Sequence, residues 1–276
     1  RTLHINRTKF HVTLRTMCKG FIHPTAVVNS SAEVGHNVQI GPYTVLEKDT
    51  VVGDGCRIGA HVVIKKYTVL GRDNLVFEGA VLGGEPQDVK FSGKRSYLHI
   101  GNQNIFRENV TVNRATEPEG KTTINNGCFL MACSHVAHEC VLGNKVVLAN
   151  NVVLAGHVSL GNQAFLSGGA GVHQFCRVGE MSMVGGQTKV VQDVLPFFLV
   201  DGFPAVHRSL NLVGLRRNRF SKEEVQLLKT SYRLLASKEL RLAEKLRELK
   251  KLDSKLPALL IDFIRSSERG ICNFSS

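Results

Sequence analysis

Tryptophan is absent from this 276-residue chain, and acidic residues are scarce: 23 Asp+Glu stand against 35 Lys+Arg, a formal net charge of +12. That balance favours an acidic partner, whether nucleic acid, an anionic membrane, a phosphorylated substrate or an acidic carrier protein. Nucleic-acid binding calls for basic clusters interleaved with exposed aromatics. The densest basic stretch (Arg216, Arg217, Arg219) merely precedes an apparent helix, so no nucleic-acid partner is expected. No CxxC pair occurs among the seven cysteines, which argues against a zinc knuckle, and their odd number against a disulfide framework. No apolar run approaches the ~18 residues that a membrane-spanning helix needs, so no integral membrane segment is expected. No acidic residue precedes Glu33, whereas Arg1, Arg7, Lys9, Arg15 and Lys19 all do. Basic, acid-poor and hydroxyl-bearing is the composition of a transit segment. The chain also opens on Arg1 rather than Met. Residues 1–20 are therefore expected to be a basic extension, a transit-peptide remnant that places the protein in a mitochondrion or other organelle. Bacterial cytoplasm is the alternative.

What the sequence does have is a period of six. Steps of six from Ile22 to Val190 visit 29 positions, and only Asp88, Lys94 and Pro118 among them are not apolar. Gly often follows the apolar residue (Gly35, Gly41, Gly53, Gly143, Gly161, Gly179). A small residue often sits four positions after it: Ala26, Thr44, Val62, Ala80, Ala164, Cys56, Cys128, Cys140 or Cys176. Neither a 3.6-residue helix nor plain strand alternation gives this spacing. A hexapeptide repeat means one short strand and one tight turn per side, three sides closing a triangular coil of 18 residues. The apolar residue points inward and the small one fits a corner, with the cysteines acting as small hydrophobes. Gly or Asn (Asn37, Asn144, Asn150, Asn162) suits turn positions with positive φ. Each coil hydrogen-bonds to its neighbours about 4.8 Å away. Periodicity alone does not fix the hand of the coil.

The three interruptions mark insertions at roughly 83–97 and 114–121, candidates for substrate or subunit contacts. The period ends near residue 200. Ser221 and Glu224 then form a capping box, and 238–252 and 257–266 have helical spacing. The expected organisation is an extension over 1–20, a β-helix catalytic domain over 21–205 and a C-terminal helical domain over 206–276, which also covers an open end or flank of the prism.

Polar residues interrupt the scaffold at SHVAHEC (His135, His138, Glu139), at His157 and at His173 with Gln174. On an 18-residue coil, His138, His157 and His173 project from one side of three successive turns. Two chemistries fit. A neutral His138 can take a proton from a substrate hydroxyl, its other nitrogen oriented by a carboxylate or carbonyl. Alternatively the histidines bind zinc, which needs three nitrogens within ~2.1 Å of one point. Rings spread over several coils of one chain are too far apart for that unless a neighbouring subunit completes the set, so the general base is preferred and no metal or other cofactor is expected. Cys133 as a covalent acyl carrier is disfavoured because nothing obvious lowers its thiol pKa.

SHVAHEC, LANNVVLAGHV, GVHQFCRVG, GGEPQDVKF and NLVGLRR resemble, over nearly the whole chain from about residue 21, the bacterial UDP-N-acetylglucosamine O-acyltransferases that begin lipid A synthesis. The resemblance implies an all-β, left-handed parallel β-helix with a helical C-terminus, assembled as a homotrimer with active sites between prisms. It implies transfer of an (R)-3-hydroxyacyl group from acyl carrier protein to the sugar 3-hydroxyl of UDP-N-acetylglucosamine. His138 matches the general base, Glu139 an acidic residue (often Asp) that orients it, and the Gly156 amide the oxyanion donor. Asp88, Lys90, His135, His157, His173, Gln174, Asn211 and Arg217 match contacts to nucleotide sugar or acyl donor, with Lys90 and Arg217 the expected diphosphate partners. Gly186 falls where the family measures acyl length, and its missing side chain implies room for a long chain. Glu at 139 and Asn218 after Arg217 depart from the family pattern. The alternatives are the related UDP-3-O-acylglucosamine N-acyltransferase, a zinc-dependent, carbonic-anhydrase-like β-helix and a non-catalytic scaffold.

Overall fold

The computed structural model describes residues 20–275; the expected transit remnant at 1–20 lies outside them except for Gly20. From Phe21 to Val190 the chain winds as a left-handed parallel β-helix. Its strands, mostly of two residues, fall into three sheets of eleven, nine and eight members, and successive strands visit them in turn. The inward residues are fully buried: Leu130, Val136, Leu142, Leu148 and Leu154 each show 0 % exposure. Stacking along one sheet is in register, as where Ile40 pairs with Ile58, a step of 18.

The two insertions change the step without changing the phase. Val76 pairs with Phe106, a step of 30, and Val112 with Val136, a step of 24. The extra 12 and 6 residues are whole multiples of the repeat. The inward series therefore resumes unshifted after residues 85–96 and 114–120, which leave the prism as loops.

Corner chemistry differs in one respect from expectation. The positive-φ position is the third residue after each inward one, and it accepts many side chains: Asn37 (φ 57°), Glu139 (54°), His157 (61°), Phe175 (65°). Asn144, Asn150 and Asn162 lie one residue earlier and are not left-handed. Asn144 and Asn162 instead form a side-chain ladder, Asn144 Oδ1 accepting from the Asn126 amide at 3.1 Å and Asn162 Oδ1 from the Asn144 amide at 2.7 Å. The small corner residues also bond across coils. Thr44 Oγ1 donates to the Gly59 carbonyl (2.6 Å), and the thiols of Cys56, Cys128 and Cys140 donate to the carbonyls of Gly71, Gly143 and Ala155 (3.0–3.2 Å).

Beyond Val190, strand Phe198–Gly202 adds in parallel to Met183–Val184 and turns back as an antiparallel hairpin with Ala205–Leu210. Four helices follow: α1 (Leu212–Arg217), α2 (Lys222–Ala236), α3 (Leu242–Lys250) and α4 (Lys255–Arg265). The capping box of Ser221 and Glu224 is formed. These elements share a second apolar cluster built on Phe197, Phe198, Leu215, Leu228, Leu249 and Leu260. Arg177 ties it to the prism. Its Nε donates to the buried Asp193 (2.8 Å), its Nη2 to the Phe263 carbonyl (2.8 Å), and its guanidinium lies 4.2 Å from the Phe263 ring.

Candidate active site

One edge of the prism, where the nine-stranded sheet turns into the eight-stranded one, gathers the polar residues. Strands His135–Val136 and Val141–Leu142 flank Ala137–Cys140, Val153–Leu154 and Ser159–Leu160 flank Gly156 and His157, and Gly171–Val172 and Arg177–Val178 flank His173–Cys176. Both insertion loops leave from this same edge. Register then decides which side chains meet. His138 shares its corner position with Gly156 and Gln174, 18 and 36 residues on, and Glu139 shares its own with His157 and Phe175.

His138 is buried, and its Nδ1 contacts Glu139 Oε2. Since a carboxylate only accepts, Nδ1 carries the proton, and in the neutral ring the lone pair then lies on Nε2. That nitrogen stands 3.8 Å from Asp88 Oδ2, carried in by the 85–96 loop. Glu139 Oε1 accepts from the backbone amides of Thr116 (2.6 Å) and Glu117 (2.9 Å) of the other loop. Its Oε2 also lies 3.8 Å from His157 Nε2. The His157 ring packs edge-on to His138 (centroids 5.3 Å) and stacks on Phe175 (4.5 Å). The two imidazoles are thus closer than a spread over coils suggested, and His138, Glu139 and His157 present donor atoms within 4.8 Å of one another.

Gly156 is close because it must be: a Cβ there would stand 2.4 Å from His138 Cε1. Its amide donates to no backbone carbonyl among the described residues. His135 faces outward from the nine-stranded sheet, its Nδ1 2.7 Å from Thr111 Oγ1. Burial holds its pKa below the ordinary imidazole value. Arg114, in register with His138 one coil earlier, is buried, bonds Glu85 at 3.0 Å and lies over the Phe91 ring at 5.2 Å, bracing the loop that carries Asp88.

Other expected site residues stand apart within one chain. His173 is exposed, and its Nδ1 lies 3.4 Å from Arg269. Gln174 is exposed on the same edge, and Lys90 is exposed on the 85–96 loop, its amide bonded to Asp88 at 2.8 Å. Gly186 lies on a different edge, between strands Met183–Val184 and Lys189–Val190. Asn211 caps α1, accepting from the Gly214 amide (3.0 Å) and donating to the Met181 carbonyl (2.8 Å). Arg217 is exposed at the end of that helix. Phe175, Arg114 and the two loop amides did not emerge from the sequence. Counting 18 on from His157 reaches Phe175, whereas backbone donors leave no mark in side-chain patterns.

Comparison with known proteins identifies the family. A family model described as UDP N-acetylglucosamine O-acyltransferase, domain 2, matches residues 193–272, and a bacterial transferase hexapeptide model matches 31–66 and 121–156. An acyl-[acyl-carrier-protein]–UDP-N-acetylglucosamine O-acyltransferase from Alkalilimnicola ehrlichii is 46 % identical over 253 residues, 91 % of this chain and 98 % of that one. A protein of the same name from Synechocystis is 45 % identical over 170 residues, and that match spans 62 % of either chain. The solved UDP-N-acetylglucosamine O-acyltransferase of Moraxella catarrhalis superposes with a TM-score of 0.88 at 41 % identity, covering 91 % of this chain and 99 % of that one. The Arabidopsis UDP-N-acetylglucosamine acyltransferase does so at 0.82 and 33 %, covering 92 % and 100 %. The chain belongs to the UDP-N-acetylglucosamine O-acyltransferase family.

Proposed function

We propose that this protein transfers an (R)-3-hydroxyacyl group from acyl carrier protein to the 3-hydroxyl of UDP-N-acetylglucosamine, the first step of lipid A synthesis. The observation that carries the chemistry is the His138–Glu139 pair, which puts the proton on Nδ1 and leaves Nε2 free to accept one. The sugar hydroxyl attacks the thioester carbonyl as Nε2 takes its proton, a contribution of typically ~10²–10⁴-fold. The Gly156 amide stabilises the oxyanion, worth a few kcal/mol on the order of other such donors. Collapse expels the carrier thiolate, which recovers the proton from His138. Asp88, Lys90, His135, His157, His173, Gln174, Asn211 and Arg217 hold the nucleotide sugar and acyl donor, Lys90 and Arg217 facing the diphosphate, and Gly186 leaves room for the acyl chain. The name shared by the relatives favours an oxygen nucleophile over the N-acyltransferase and a transferase over the zinc hydratase.

The working unit in this reading is a homotrimer. Gly186 and α1 lie away from the histidine edge in one chain, so a second prism is needed to bring them to a common ligand. The outward face of the eleven-stranded sheet suits such packing, since Leu75, Ile105, Phe129, Val147, Phe165 and Met183 form an unbroken, half-buried apolar ladder. An organellar address rests on the basic, acid-poor composition of residues 1–32, and a reporter fused after residue 32 tests it. No helix among the described residues is long and apolar enough to cross a membrane.

Incubation of the purified protein with UDP-N-acetylglucosamine and a series of 3-hydroxyacyl carrier proteins tests the activity. The expected product is the 3-O-ester, with release of carrier thiol in equal amount. Acylation at nitrogen, or no product from any chain length, overturns the proposal.

A further inference from the structure

We propose that the 114–120 loop is the positioning element for His138 and works through Glu139; this rests on the general-base reading above. A glutamate is one methylene longer than the aspartate that the family often carries, so its carboxylate has more orientations to choose from. Here one oxygen is taken by two main-chain donors, Thr116 N at 2.6 Å and Glu117 N at 2.9 Å. The carboxylate plane is thereby fixed, and the other oxygen is left against His138 Nδ1 with His157 Nε2 at 3.8 Å. The loop is itself anchored. The Glu119 amide donates to the Arg95 carbonyl (2.8 Å), the Tyr97 hydroxyl to Glu119 Oε2 (3.0 Å), and Ser96 Oγ to the Ala115 carbonyl.

The amides reach this point because the coil that holds them is six residues longer than the ordinary 18-residue coil, running from Val112 to its partner Val136 in a step of 24. Without the extra six residues, the chain would pass from Val112 to Ile124 along the ordinary corner, and Glu139 Oε1 would face solvent. The Glu139 carboxylate would then rotate freely, and His138 would lose its preference for the tautomer with the lone pair on Nε2.

Deletion of residues 115–120 removes the loop and returns Val112 and Ile124 to a step of six, so the prism keeps its phase and the variant is expected to fold. The expected result is a fall in kcat of at least about tenfold with KM for UDP-N-acetylglucosamine nearly unchanged. In a Glu139→Gln background the same deletion is expected to cost less than about twofold further, because two changes acting through one group are not additive. Multiplying losses, or full kcat in the deletion variant, overturn the inference. Should the deletion fail to fold, an ester in place of the Thr116 amide removes one donor and keeps every side chain. It is expected to lower kcat in the wild type and not in Glu139→Gln, and equal losses in both overturn the inference. His138→Ala measured alongside separates the two levels. Retained activity there removes the base itself, whereas an inactive His138→Ala beside an unimpaired loop deletion removes only the positioning role.

Discussion

Gly156→Ala is the smallest change that should disable the site while leaving every proposed chemical group in place. The new methyl carbon would lie 2.4 Å from Cε1, 2.6 Å from Nε2 and 3.0 Å from Nδ1 of His138. Carbon–carbon contact becomes comfortable at about 3.5 Å, so the ring has to retreat by about 1 Å. That retreat lifts Nδ1 off Glu139 and moves Nε2 away from the incoming hydroxyl. A displacement of this size can cost about 100-fold in rate. The alanine keeps its amide N–H, so the loss reports on the ring rather than on the oxyanion donor. Overpacking costs about 1–3 kcal/mol, partly offset by the ~0.4–1 kcal/mol that losing a glycine takes from the unfolded chain's entropy. Steady-state release of carrier thiol, with thermal unfolding as the control, measures both quantities. A kcat within twofold of wild type in a normally folded protein refutes the reasoning, because it means that His138 does not have to stay where the structure puts it.

Stability should fall in mild acid through His207. This residue is fully buried, its Nδ1 donates to the Cys272 carbonyl (2.9 Å), its Nε2 accepts from the Leu195 amide (3.1 Å), and burial pushes its pKa down to about 4. The unfolded chain protonates near 6.5, so stability is intact above that pH, declines as pH drops towards 4 and levels off below, a loss of about 3 kcal/mol; urea midpoints across that window for wild type and His207→Gln should show the slope flattening in the variant. Leu130→Ala, at a position with 0 % exposure in the prism, should cost about 2–5 kcal/mol by denaturant unfolding. Arg177→Ala strands the Asp193 carboxylate, 1 % exposed, and should cost about 2–3 kcal/mol while freeing the helical tail, read as faster proteolysis after residue 190. Peptide mapping after brief alkylation at neutral pH should find Cys133 modified and Cys128, Cys140, Cys176 and Cys272 protected, since burial pushes those thiols up to about 11 or 12.

The prism was legible because each six-residue unit repeats the same physical demand: one side chain inside, one small group at a corner. Even the interruptions could be counted, since Asp88, Lys94 and Pro118 are the positions that the 12 and 6 inserted residues occupy. The hand of the coil came from resemblance alone. The hairpin of residues 198–210 escaped notice because two strands with no repeat behind them look like any apolar loop. The shared edge of His138, His157 and His173 followed from division by 18, but the contacts did not. Two residues of offset put Phe175 rather than His173 against His157. The asparagines illustrate the same limit: Asn144 and Asn162 suit left-handed turns by propensity, yet stacking between identical neighbours gives their amides a better use. What held Glu139 was least legible of all, since any residue type at 116 and 117 other than proline supplies the same N–H.

Chemical rescue addresses the catalyst itself. His138→Ala should lose at least about 100-fold in kcat with its unfolding transition unchanged, and added imidazole should restore part of the rate in a saturable way. Wild-type turnover by His138→Ala without imidazole contradicts the assignment of His138 as the base.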